Sequence, residues 1–156
     1  LYRRQQLTGY VHDETAAFFG GVQGNAGLFS NANDLAKLCQ MWLNHGSYGN
    51  EQILSAKTVI RFLTETSATS RRGLGFDKPD MKNPEKSPTA IEASPATVGH
   101  LGFTGTCFWI DPEQELIYIF LCNRVYPSRT HNALSELNVR PALLSAIYHS
   151  IKDYSK

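Results

Sequence analysis

Apolar residues recur at helical spacing in three places along the chain. Leu35, Leu38, Cys39, Trp42 and Leu43 form one stripe, Val59, Ile60, Phe62 and Leu63 a second, and Leu143, Leu144, Ile147, Tyr148 and Ile151 a third. Each stripe has a start signal. Asn31 precedes the first, with Asp34 three residues on as an acidic form of the capping box, and His45-Gly46 supplies a stop. Ser55 caps the second, with Leu54 outside it as a staple. Asn138 caps the third, whose first turn holds Pro141. Helices are thus predicted over 32–45, over 55–66 and after Asn138.

Elsewhere the pattern changes. Residues 98–110 and 116–123 are rich in β-branched and aromatic side chains and flank the polar turn Asp111-Pro112-Glu113-Gln114-Glu115, which predicts an antiparallel hairpin. "RRGLGF" at 71–76 reads as a short strand whose glycines allow close backbone approach. Residues 9–29 hold five glycines and read as an irregular loop with a helical turn near Thr15–Phe19. From Asp77 to Thr97 the chain carries Pro79, Pro84, Pro88 and Pro95 with little periodicity, which reads as a long surface loop. The fold class that follows is α/β of the α+β type: a short antiparallel sheet of about three strands flanked by helices, in a single domain over 1–156.

Composition narrows the partners. At 156 residues the chain is long enough for one core. Its 15 basic and 14 acidic residues are spread along it and leave no footprint for nucleic acid or an anionic membrane. No apolar run approaches the ~20 residues of a membrane span. "LYRRQQLTGYVHDET" has no hydrophobic signal segment, so a soluble chain without an address is expected. Cys39, Cys107 and Cys122 form neither a C-x-x-C pair nor a metal-spaced set with the five histidines. With the 111–115 turn closing the hairpin, Cys107 falls opposite position 118 or 119. Cys122 is then too far along for a disulfide, and three buried structural thiols are expected.

"GNAGLFSNANDLAKL", then "GLGF", then "GHLGFTGTCFWIDPEQELIYIFLCNR" together resemble the C-terminal half of the serine β-lactamase and penicillin-binding-protein superfamily, nearest the class C-like enzymes and β-lactamase-related esterases. The resemblance runs from about Gly9 to the final helix. It implies a partial β-lactamase/transpeptidase-like fold lacking its N-terminal part. It places the family's Lys-Thr-Gly or His-Thr-Gly motif at His100-Leu101-Gly102, a strand end walling a substrate cleft, and makes the backbone N–H of Phe103 an oxyanion donor. The imidazole of His100 would face a substrate carboxylate, and Gly102 would let an acyl group lie against the backbone.

The resemblance implies further that the intact protein hydrolyses a β-lactam, peptide or ester through an acylated serine, with no metal or organic cofactor, on a small-molecule or peptidoglycan-like substrate in a periplasmic or secreted setting. This chain departs from the pattern. Leu101 replaces the usual threonine, and no serine has a lysine three residues on, so the nucleophile is absent and the chain is expected to be inactive alone. Tyr48-Gly49-Asn50 spells Tyr-x-Asn but sits in a glycine-rich turn, and a plain turn is the better reading.

The missing sheet neighbours should leave an unpaired edge or apolar face that drives self-association. His100 and its two glycines have a blander reading as a hydrogen-bonded strand end and a bulge. His12-Asp13 reads as a cap or loop-ordering pair, Arg71-Arg72 as a solvated rim and Trp109 as core. Two other functions stay open: a non-catalytic cell-wall or partner-binding module, and an accessory domain fused to a glycoside hydrolase.

Overall fold

The computed structural model describes residues 5–154, which divide at Asn31/Ala32 into two compact units. In the first, α1 (Glu14–Phe18) starts at Asp13, whose Oδ1 accepts from Ala16 N at 2.7 Å and from Asn25 Nδ2 at 3.2 Å. The hydrogen bond from Ala16 is the main reason that carboxyl lies below its usual range. Asp13 is therefore a helix cap, as its place before the helical turn suggested. Val11, Ala16 and Ala17 form a small core, while Phe18, Phe19, Val22, Leu28 and Phe29 are exposed.

In the second unit the elements run α2 (Ala32–Leu43), β1 (Ser47–Tyr48), β2 (Glu51–Gln52), α3 (Ala56–Thr64), β3 (Val98–Leu101), β4 (Cys107–Asp111), β5 (Leu116–Phe120), α4 (Ala133–Glu136) and α5 (Val139–Tyr154). Strands β3, β4 and β5 form an antiparallel meander in that spatial order. Alternation of side chains along the strands makes two cores. Cys107, Trp109 and Tyr118 pack with Leu144 and Tyr148 of α5. On the opposite face Val98, Ile110 and Phe108 pack with Cys39 and Trp42 of α2 and Phe62 of α3. Phe76 joins this second core, its ring 5.0 Å from that of Trp42 and 6.4 Å from that of Phe108, both edge-on. Fully burying a side chain such as Ile110 or Leu144 contributes about 1.5–3 kcal/mol.

The three-stranded sheet and its helical layers match the expectation, and β5 is the strand expected at 116–123, but 71–76 supplies no strand of the sheet and 98–110 supplies two. The run 98–110 is not one strand. Gly102 N donates to Thr106 O at 2.7 Å and Gly105 N to Gly102 O at 3.0 Å, so residues 102–106 turn the chain between β3 and β4. Gly105 has φ +113°, and a Cβ there would also collide with Cys122 Sγ. The Phe and Thr side chains in this turn have high strand propensity and hid the break.

The predicted strand at 71–76 is a turn closed by Gly73 N donating to Phe76 O at 2.9 Å. Cys107 pairs with Phe120 rather than 118 or 119, because the turn after β4 is one residue tighter than assumed. Cys122 is then only two residues past Cys107's partner. All three thiols are nevertheless free, with Cys122 half-buried. Burial pushes the Cys39 and Cys107 thiols up to about 11, which leaves both unreactive.

The helix stripes are wider than the buried faces. Leu38, Ile60, Leu143, Ile147 and Ile151 are exposed, and among the described side chains of α5 only Leu144 and Tyr148 are fully buried. The 77–97 segment is irregular, as expected, but it does not lie on the surface throughout. Asp77, Lys78, Ser87, Thr89, Ala90, Ala93, Ser94 and Thr97 are buried. Proline content reported the missing periodicity and said nothing about burial.

Candidate functional site

The end of β3 carries the residues singled out from the sequence. Outside Gly99, Asp77 forms a single antiparallel bridge: Asp77 N donates to Gly99 O at 2.8 Å and Gly99 N to Asp77 O at 3.0 Å. Gly99 is required where it stands, since a Cβ would run into Phe108 O and the Trp109 ring. Backbone groups in an antiparallel strand alternate between its two edges, so Leu101, two residues on, directs its N–H and C=O to the same edge as Gly99. His100, opposite Phe108, lies on the face covered by α2 and α3.

Asp77 is 1% exposed and is surrounded by cations. Arg71 reaches it twice, with Nε at 2.8 Å from Oδ1 and Nη2 at 2.9 Å from Oδ2. Arg72 Nη2 lies 3.6 Å from Oδ2, and Lys78 N donates to Oδ1 at 2.9 Å. The other arm of Arg72 meets His100, with Nη1 3.0 Å from Nε2. His100 Nδ1 lies 2.8 Å from Leu101 O. Lys78 Nζ donates to Leu63 O at 2.6 Å, closing the C-terminal end of α3, and burial lowers its amine below the usual range.

The rim expected at Arg71-Arg72 is thus only half solvated, with side chains 38% and 54% exposed but anchored on one buried carboxylate. Asp77 was missed in the sequence. Its only signal was an acidic residue five and six positions after two arginines, which no helical or strand spacing links.

Gly102 directly follows the last residue of β3, and its φ is not in the left-handed region. A Cβ there would meet Thr106 Oγ1, a rotatable hydroxyl, so the glycine keeps a close approach open. Phe103 follows in the turn. Its carbonyl accepts from Arg124 Nε at 2.8 Å, and its exposed ring stacks under the guanidinium of Arg124 at 4.5 Å and that of Arg129 at 5.6 Å. Arg124 Nη1 also donates to His131 O at 2.9 Å and to Arg129 O at 3.2 Å. One side chain thereby ties the β3–β4 turn to the 129–131 loop.

The arrangement can orient and bind. It offers guanidinium donors, a strand edge and an ordered turn. Tyr48 ends β1 opposite Glu51, and Gly49-Asn50 is the turn to β2, with Gly49 at φ +60°; Trp109 is core. Among the described residues no three His, Cys, Asp or Glu side chains gather as metal ligands, and no helix is long and apolar enough to cross a membrane. A cavity of about 380 Å³ lies elsewhere, lined by Cys122, Arg124, Leu134, Leu137 and Val139 among others but by none of His100, Leu101 or Gly102.

Comparison with known proteins gives a consistent result. A family model described as Beta-lactamase matches residues 3–140. A protein of Escherichia coli (strain K12) named "Putative D-alanyl-D-alanine carboxypeptidase" is 44% identical over 124 residues, 78% of this chain and 28% of that protein. A protein of the same name from Salmonella paratyphi B (strain ATCC BAA-1250 / SPB7) is 40% identical over 141 residues, 89% of this chain and 31% of that protein. The chain therefore spans less than a third of the length of these relatives.

Proposed function

The chain belongs to the beta-lactamase family, within the serine β-lactamase and penicillin-binding-protein superfamily of hydrolases, and from that premise we propose that it walls the acyl-binding cleft of a serine hydrolase without supplying the nucleophile. His100, Leu101 and Gly102 line the substrate site. The backbone N–H of Phe103 is an oxyanion donor, a role worth roughly 3–4 kcal/mol of transition-state stabilisation when such a group is preorganised.

What carries this reading is the position of the motif residues at the end of β3. Asp77 holds the outer edge of that strand, and the hydrogen-bonded turn 102–106 follows directly. The names of the relatives favour a peptide ending in D-alanine as substrate of the whole protein. In that reaction a serine oxygen attacks the peptide carbonyl carbon, the amine leaves with a proton, and water hydrolyses the resulting ester to free the serine.

No Ser-x-x-Lys occurs in these 156 residues. The isolated chain should therefore hydrolyse neither a chromogenic cephalosporin nor a nitrophenyl ester above background, whereas a longer protein carrying an upstream Ser-x-x-Lys should turn over. Turnover by the isolated chain, with an active-site phosphonate on one of its own serines, would defeat the proposal. A binding module is the competing reading, and it would show as muropeptide binding by the longer protein with no turnover.

A further inference from the structure

The β3-β4-β5 meander has two edges, and they are treated differently. On the β3 side Asp77 bridges Gly99 through both backbone groups. No strand or bridge among the described residues covers the outer edge of β5. Because Gly99 turns its N–H and C=O to Asp77, its partner Trp109 directs its own toward β5 and meets Tyr118 there. Alternation along β5 then leaves the N–H and C=O of Ile117 and Ile119 pointing outward, and such groups need a partner or water. Natural sheets guard an open edge with charge, proline or a bulge, and Leu116–Phe120 has neither a charge nor a proline and pairs with β4 without a bulge.

The helix beside that edge is also unfinished. Leu144 and Tyr148 of α5 are buried against the sheet. Ser145 hydrogen-bonds Glu92, and His149 Nε2 lies 2.8 Å from Glu92 Oε1, so one flank of the helix is held by the segment that enters β3. At 3.6 residues per turn Arg140, Leu143, Ile147 and Ile151 fall on the opposite flank. That flank lies toward β5, since the Arg140 carbonyl accepts from Tyr118 Oη at 3.3 Å. Its Leu143, Ile147 and Ile151 are 45%, 36% and 38% exposed, a row of apolar side chains alongside an open strand.

We propose that the β5 edge and this flank of α5 form a self-association surface, on which a second copy of the chain docks antiparallel and continues the sheet. The strand reads Leu-Ile-Tyr-Ile-Phe, nearly the same in both directions about Tyr118. With a two-fold axis at Tyr118, Ile117 meets Ile119 of the second copy and Ile119 meets Ile117, and each pair exchanges both N–H···O bonds while the side chains form β-branched cross-strand pairs. An isologous contact of this kind needs only one self-complementary patch. A net charge of +1 opposes the approach of two copies very little. The apolar flank and the edge amount to roughly 400–500 Å² per copy, the small end of specific interfaces, so a dissociation constant of about 10–100 µM is expected.

The test follows the 156-residue chain by sedimentation equilibrium below and above that concentration range, with amide hydrogen exchange read at both ends. Wild type should pass from monomer to dimer. The amides of Ile117 and Ile119 should exchange about tenfold more slowly in the dimer, and that of Tyr118, already bonded inside the sheet, should change less. Leu143→Glu and Ile147→Glu put a carboxylate into the contact from exposed positions, and each should weaken association about tenfold or more. Ile60→Glu changes an exposed apolar residue of α3 and should leave association as it was. The exchange measurement on wild type does not depend on any variant folding. A chain that stays monomeric throughout would overturn the proposal, and protection of Ile117 and Ile119 in a monomeric longer protein would then assign the edge to the rest of that protein. Equal weakening by Ile60→Glu, or a dimer in which the Ile117 and Ile119 amides still exchange as fast as in the monomer, would overturn it by placing the contact elsewhere.

Discussion

Two aspartates, Asp77 and Asp111, are each only 1% exposed, and they are satisfied in opposite ways. Asp111 ends β4 and accepts from neutral groups. Ser94 Oγ lies at 2.7 Å, Ser94 N at 3.1 Å, Tyr148 Oη at 2.6 Å, Glu113 N at 3.0 Å and Gln114 N at 3.3 Å. Asp77, beside β3, is met mainly by guanidinium groups on partly exposed side chains. The first arrangement fastens α5, the 112–115 turn and residue 94 to one point. The second fastens little backbone beyond its own bridge and gathers charge at the strand end instead. A buried carboxylate surrounded by neutral donors is built for rigidity, and one surrounded by half-exposed cations positions those cations for something else.

The sharpest way to break this contrast is to truncate each acid. Asp111→Ala should cost about 3–5 kcal/mol in urea unfolding, because Ser94 and Tyr148 are buried and their donors cannot turn to water. Asp77→Ala should cost less, about 1–3 kcal/mol, since Arg71 and Arg72 can swing into solvent and only Lys78 N is left behind. Equal costs would erase the distinction between a fastening site and a charge-gathering one.

A smaller effect separates them by pH. Burial alone would raise the Asp111 carboxyl, but hydrogen bonds from Ser94 and Tyr148, and from the backbone of Ser94 and Glu113, outweigh it and hold the group below its usual range. A depressed folded-state value means the stabilisation is fully present above the unfolded value near pH 4 and is lost as pH falls through the folded one. Asp13, Asp80 and Glu92 are also depressed and add to the same acid slope. The informative quantity is therefore the difference between wild type and Asp111→Asn below pH 4. The variant should lose stability less steeply there, and parallel curves would show that Asp111 does not titrate with folding.

The contrast also marks what the sequence could reveal. Helix positions and the meander's second and third strands were legible, because spacing, caps and the 111–115 turn act locally. The turn at 102–106 was not, because its decisive feature is a positive φ at Gly105 inside a run of strand-forming residues. Neither aspartate's role was legible. Asp111 read only as the start of a polar turn, and its partners lie 17 and 37 residues away at Ser94 and Tyr148. Asp77 read as the start of a surface loop. Pairings of that kind are fixed by tertiary packing and leave no period in the chain.

The last prediction concerns the segment that links the two acids, since it starts at Asp77 and is bound to Asp111 through Ser94. Lys78 and Pro79 are buried at one end and Ser87 to Ser94 are largely buried at the other, with Ser87 Oγ accepting from Asp80 N at 3.2 Å across the base. Residues 81–86 between them are all exposed. A protease needs several residues to unfold into its site, and only this stretch can do so without breaking core contacts. Subtilisin should therefore make its first internal cut of the 77–97 segment within 81–86, leaving a nicked chain that stays folded with both aspartates in place. In Asp77→Ala cutting should spread toward residue 77, while in Asp111→Ala it should spread toward residues 94–97. A first cut between 87 and 94 in wild type would show that the segment is a free surface loop after all, and that the two acids do not anchor its ends.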